Sequence, residues 1–171
     1  LLLLLLSLLL RWQVDQRTRA LVRTTQELER QRADLERLVA ERTGEMQAIF
    51  DSASTGIVLA KDRIVVRSNR RMDELFGCAP GEQVGRSTRM WYADDASFTQ
   101  VGQEMYAQIA RGETHVREQP VVRKDGSRFW ARMSVRKVDP ADPSKGVVGI
   151  IEDITAERAA REAMQTAKAM A

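Results

Sequence analysis

Between residues 14 and 49 the apolar positions recur every seven residues. Val14, Leu21, Leu28, Leu35, Arg42 and Ile49 form one seam, and Thr18, Thr25, Arg32, Val39 and Met46 form the alternate seam. An apolar repeat of about 3.5 residues keeps a narrow stripe on one side of a helix. The stripe predicts a parallel coiled coil in which two copies of the chain meet along Leu21, Leu28, Leu35, Val39, Met46 and Ile49. At ~1.5 Å per residue the rod would extend roughly 50 Å. Threonine and arginine weaken the seam, and Arg32 and Arg42 must turn their charged ends outward. The segment reads either as a plain spacer helix or as a marginal coil with two packings of similar energy that relays motion.

Ahead of the repeat, residues 1–10 are leucine at every position but Ser7. A bilayer span takes about 20 apolar residues, so this run reads as the last half of one. Trp12 beside Arg11 suits the membrane boundary, and Arg17, Arg19 and Arg23 against a single Asp15 place the helix beyond them on the cytoplasmic side. A secretory apolar segment would end in small residues at a cleavage site instead.

After Ser52 the period changes. Gly56–Ala60 and Ile64–Val66 read as short strands around a polar turn, Lys61-Asp62-Arg63. Asn69 reads as an N-cap for a helix bearing Met72, Leu75 and Phe76 on one side, with Gly77 as its stop. Pro80, Gly81 and Gly85 predict short helical turns over 78–92, where Met90, Trp91 and Tyr92 cluster. Asp94 and Asp95 can cap a further helix, with Phe98, Val101, Met105 and Ile109 at helical spacing up to Gly112. Strands then run over 116–123, 128–135 and 147–155. Asp125-Gly126 between the first two predicts a hairpin with a primed turn. Phe129, Ala131, Met133 and Val135 share one face of the second strand; Arg128, Trp130, Arg132, Ser134 and Arg136 share the other. A helix begins at Thr155.

Hairpin connections favour an antiparallel sheet, so the expected class is α+β: five antiparallel strands with helices on one face, preceded by a long helix. The inner face, taken as Ile57, Leu59, Met72, Phe76, Met90, Phe129, Met133 and Ile150, is apolar. It suits a filled core or a small apolar ligand equally.

Composition narrows the chemistry. With 27 basic and 24 acidic residues the net charge is only +3, which gives no reason to expect nucleic acid. A single cysteine excludes an internal disulfide. No phosphate-binding glycine loop, zinc-protease helix or paired-cysteine metal site occurs, so no catalytic and no metal-ligating residues are assigned. His115 is the sole histidine. It lies at a strand start with no nucleophile motif nearby and reads as an exposed surface residue. The chain opens on Leu1 and ends in a helical pattern, as expected of a piece of a longer protein.

The run Arg123-Lys124-Asp125-Gly126-x-x-Phe129-Trp130, a strand, a Pro/Asp loop, an apolar strand and Glu152-Asp153-Ile154-Thr155 resembles the last three strands of a PAS domain. Ala48-Ile49-Phe50-Asp51-Ser52-Ala53 and Asn69-x-x-Met72-x-x-Leu75-Phe76-Gly77 resemble that family's entry helix and first core helix. The resemblance covers roughly residues 46–158. It implies a layout of transmembrane end at 1–12, coiled-coil signalling helix at 13–50, PAS domain at 51–155 and output linker at 156–171.

In that family Asp153, Ile154 and Thr155 would couple sheet to outgoing helix, with Thr155 as helix cap. Haem ligands would lie at about 95–110, away from His115. The light-sensing branch carries Gly-x-Asn-Cys-Arg-Phe-Leu-Gln where this chain has Gly77-Cys78-Ala79-Pro80, and Trp130 falls on the face away from the helices. Flavin and haem are therefore not expected, and the cofactor is left unassigned. Residues 35–43 and 155–171 resemble the segments flanking PAS domains in membrane sensor histidine kinases. The implied function is a homodimeric PAS sensory module of a membrane-anchored two-component kinase in the inner (cytoplasmic) membrane. It would be non-enzymatic itself and covalently linked to a C-terminal output domain. The alternatives are a PAS module of a diguanylate cyclase, a receptor whose own pocket is the input, and a dimerisation spacer with a filled core.

Overall fold

The computed structural model describes the backbone of residues 2–170 and the side chains of residues 7 and 9–170. The transmembrane end expected at residues 1–12 therefore rests largely on side chains outside the described residues. Among the described residues, no helix is long and apolar enough to cross a membrane. Contacts divide the chain into two units at Ala48/Ile49.

The first unit is helix throughout its described length, part of α1 (Leu2–Ser52). Its charges pair along the helix, as in Arg32–Glu36 at 2.8 Å and Arg42–Glu45 at 2.9 Å, so the two seam arginines are held by neighbours three or four residues away. Leu21, Leu28, Leu35, Val39 and Met46 all stand exposed on the single chain.

The second unit contains β1 (Gly56–Lys61), β2 (Ile64–Ser68), α2 (Arg70–Phe76), α3 (Asp95–Ala110), β3 (His115–Val122), β4 (Arg128–Lys137), β5 (Val147–Asp153) and α4 (Thr155–Met170), with 3-10 turns at Thr88–Trp91 and Pro143–Lys145. The five strands form one antiparallel sheet in the order β2-β1-β5-β4-β3. The core lies between one sheet face and α2, the first 3-10 turn and α3. There Phe76 meets Trp91 at 5.2 Å between ring centroids and Phe129 edge-on at 5.4 Å. β2 would be an open edge. The loop after α2 covers it, with Val65 N–H donating to Arg86 O and Gly85 N–H to Val65 O.

The β1–β2 turn falls at Lys61-Asp62-Arg63 as expected, whereas the β3–β4 turn is not of the expected type. The primed turn forms at Lys61–Ile64, where Asp62 and Arg63 adopt φ of 49° and 62° without a glycine. At the β3–β4 connection only Gly126 has positive φ. Its N–H closes a turn onto Arg123 O at 3.0 Å, so the turn is an ordinary one ending in a left-handed glycine.

The inner faces of β1 and β5 are one residue out of phase with the sequence reading. Gly56, Val58 and Ala60 face the core, whereas Ile57 and Leu59 are only half-buried. In β5, Gly149 and Ile151 face inward and Ile150 is 41% exposed. Cross-strand pairing couples the two shifts, because Val58 sits opposite Gly149 and Ile57 opposite Ile150. At Gly56 the core takes a small residue because α2 comes close. A Cβ on Gly56 would sit 3.0 Å from Leu75 Cδ1 and Met72 Sδ.

Candidate functional site

Two features stand out in the second unit: a cavity between sheet and helices, and the junction where β5 passes into α4.

The cavity is walled by Val58, Ala60, Met133, Val135, Val147, Gly149 and Ile151 from the sheet. Thr88, Trp91, Tyr92, Met105 and Tyr106 close it from the helical side, and Arg63 from the β1–β2 turn. Its free volume is about 40 Å³. A buried chain of hydrogen bonds fixes one wall. The Trp91 indole donates to Gln83 Oε1 at 2.8 Å, Gln83 Nε2 to Asp73 Oδ1 at 2.8 Å, and the Ser68 hydroxyl to the same carboxylate at 3.1 Å. Buried polar groups satisfied in this way hold a single geometry, so Trp91 presents a fixed face to the cavity.

Of the residues expected to line a pocket, the structure places only Met133 on the cavity wall. Met72, Phe76 and Phe129 are buried in the core behind it, and Met90 packs against that core. Ile57, Leu59 and Ile150 belong to the other sheet face, because β1 and β5 are shifted in phase together. Sequence reasoning missed Arg63, whose neighbours are set by folding. Cys78 is half-buried and away from this cavity, and burial, with the nearby Glu82 and Asp73 carboxylates adding to it, raises its thiol pKa.

His115 corrects another expectation. It is 3% exposed rather than a surface residue, with Nδ1 at 2.7 Å from Gln108 Oε1 and Nε2 without a hydrogen-bond partner. Packing of α3 on β3 closes over the strand start and buries the ring. Burial, then the charge of Arg117, lowers its pKa, while Glu104 opposes the shift.

At the junction, β5 pairs with β4 only as far as Asp153 opposite Ala131. The next rung is made by the connection itself. Ile154 N–H donates to Trp130 O at 2.8 Å, and Trp130 N–H donates to Thr155 Oγ1 at 3.0 Å. The Thr155 hydroxyl thus completes the ladder rather than capping α4. The turn is held instead by Asp153, whose Oδ1 accepts from Thr155 N–H at 3.0 Å. Asp153 Oδ2 is 3.0 Å from Arg123 Nη2. Burial opposes ionisation of Asp153, but the bonds from Thr155 and Arg123 outweigh it and hold the carboxyl below its usual pKa.

Arg123 also lies 4.0 Å from the Phe129 ring centroid and donates to Leu75 O at the end of α2. One guanidinium therefore touches α2, β4 and the β5–α4 junction. Ile154 is 2% exposed and anchors the joint. On the other sheet face Arg132 pairs with Glu118, Glu152 and Glu157, joining β3, β5 and α4, and Arg158 lies 3.7 Å from the Trp130 ring centroid.

This fold defines a class of sensory domains, and the sequence agrees: residues 44–154 match the profile of the PAS fold, and the chain belongs to the PAS family. Among curated proteins it is 34% identical over 109 residues to Sensor protein TdiS of Thauera aromatica. That match covers 64% of this chain, which spans only 20% of that protein. Among solved structures it resembles the PAS domain, in complex with ethanol, of a LuxR-family transcriptional regulator from Burkholderia thailandensis. The TM-score is 0.59 at 25% identity, covering 63% of this chain and 96% of that one. A PAS domain from Colwellia psychrerythraea gives a TM-score of 0.60 at 18% identity, covering 67% of this chain and 98% of that one. No group of acidic, histidine or cysteine residues suited to a metal ion occurs among the described residues.

Proposed function

We propose that this chain is the PAS sensory module of a membrane-anchored sensor histidine kinase. It pairs as a homodimer along the α1 seam and passes its state through α4 to a C-terminal output domain. The observation that carries the reading is the junction. Asp153 is shared between Arg123 and the Thr155 N–H, and Thr155 in turn ends the β4 ladder at Trp130. A shift of α2 or of the β3–β4 turn moves Arg123, and with it the first turn of α4. The exposed Leu21, Leu28 and Leu35 stripe supports pairing, and the sensor homologue supports a signalling context.

The test is made in the full-length parent protein. Asp153→Ala and Arg123→Gln are each expected to uncouple ATP-dependent histidine phosphorylation from the stimulus while leaving the fold intact by circular dichroism. Normal switching in both variants would overturn the coupling role. Cyclic dinucleotide made from GTP, with no phosphohistidine, would move the output to the diguanylate cyclase alternative.

A further inference from the structure

The cavity is apolar over most of its wall, yet one cation closes it. Among the described residues Arg63 has no carboxylate partner; its guanidinium lies 3.3 Å from the Phe98 ring centroid and 5.9 Å from that of Tyr92, with which it also hydrogen-bonds. Several features bring it there at a cost. Its backbone is left-handed, a conformation rare outside glycine. Gly102 on α3 gives the guanidinium its seat, since a Cβ there would meet Arg63 Nη1 at 2.3 Å. Burial lowers the Arg63 pKa, with only Tyr92 and Tyr106 to oppose it. Ring faces and a neutral phenol attract a cation but supply no counter-charge, and a partly desolvated charge without one favours an incoming anion.

We propose that the cavity binds a short-chain monocarboxylate, acetate or propionate in size, with the carboxylate on Arg63 and the alkyl end against Val58, Met133 and Ile151. The free volume of about 40 Å³ holds only a few non-hydrogen atoms, which sets the size. The planar guanidinium matches a carboxylate two bonds at a time, which sets the charge and the head group. Thr88 and Tyr106, both bearing hydroxyls, line the same cavity. The assignment rests on the sensory reading in taking the cavity as an input site. Its test is binding to this chain and uses no output, so the two fail separately.

Acetate and propionate are titrated into the purified chain by calorimetry, beside ethanol and 1-propanol. Each carboxylate is expected to bind at least about tenfold tighter than its alcohol, the difference that one charge-assisted contact makes. Arg63→Asn tolerates the left-handed backbone and removes the charge, and it should abolish that preference. Gly102→Ala keeps the charge but displaces the guanidinium, and it should weaken carboxylate binding with alcohol binding unchanged. Equal binding of acids and alcohols, no binding of either, or an undiminished acid preference in folded Arg63→Asn would each overturn the assignment.

Discussion

Asn69 is wholly buried, and its side chain makes four hydrogen bonds to main chain from three elements. Oδ1 accepts from Met72 N–H at 2.9 Å and Ile57 N–H at 2.8 Å; Nδ2 donates to Phe50 O at 2.9 Å and Thr55 O at 3.0 Å. Two donors face two acceptors, so only one orientation of the amide satisfies all four. Asn69→Ala removes all four; Met72 N–H keeps its bond to Asn69 O at 3.1 Å, and the other three backbone groups lose this partner. At a net value of about 1 kcal/mol per bond, with some relief from relaxation, the loss comes to about 3–4 kcal/mol. A domain whose whole stability is about 5–15 kcal/mol would feel this as a large fraction.

Asn69→Asp is the sharper probe. It keeps the acceptor for Met72 and Ile57 but turns a carboxylate oxygen toward two carbonyls. That environment raises the folded-state pKa of the new acid, so the folded state holds its proton longer than the unfolded chain does. The penalty is therefore smallest below the unfolded pKa of about 4 and grows as pH rises toward the folded value. Urea unfolding monitored by tryptophan fluorescence would show the Asp variant approaching the wild type in acid, while the deficit of the Ala variant stays nearly constant. A loss under about 1 kcal/mol for Asn69→Ala, or no pH trend for Asn69→Asp, would refute the claim that this side chain locks the entry of α1 to β1 and α2.

Three further outcomes concern single sites. The depressed pKa of buried His115 means the unfolded chain binds more protons than the folded one just below the ordinary value of 6.5. Stability should thus fall as pH is lowered through that region, and urea midpoints of His115→Gln should lose this component of the slope. Gly146 has φ of +83°, and a Cβ there would meet Ala60 O at 2.3 Å, so Gly146→Ala should cost about 2–4 kcal/mol in thermal or urea unfolding. Gly77→Ala has a similar φ of +68° but open space, and should cost only about 1–2 kcal/mol.

The local signals in the chain were sufficient for most elements because their causes are local. Asn69 caps α2 and Asp94 caps α3 through Ser97 N–H at 2.7 Å, since a short polar side chain before an apolar helical run meets free N–H groups wherever the helix later packs. The alternation of Phe129, Ala131 and Met133 gave the buried face of β4 directly, because every inward residue is apolar and all the outward ones but Trp130 are polar. The same reasoning misphased β1 and β5. There the inward positions include Gly56, packed against Met72 and Leu75 of α2, and Gly149, packed against Val58 of β1, so size pointed to the wrong face.

The heptads, the strand sequence and the caps of α2 and α3 were thus written in neighbouring residues. The tertiary structure alone decided that Arg63 meets Phe98 and Gly102, that Arg123 reaches both Leu75 and Asp153, and that His115 lies beneath α3. Periodicity fixes which side of an element a residue occupies. The residues across from that side depend on how distant segments pack, and the charge balance of the cavity and the link to α4 were set there.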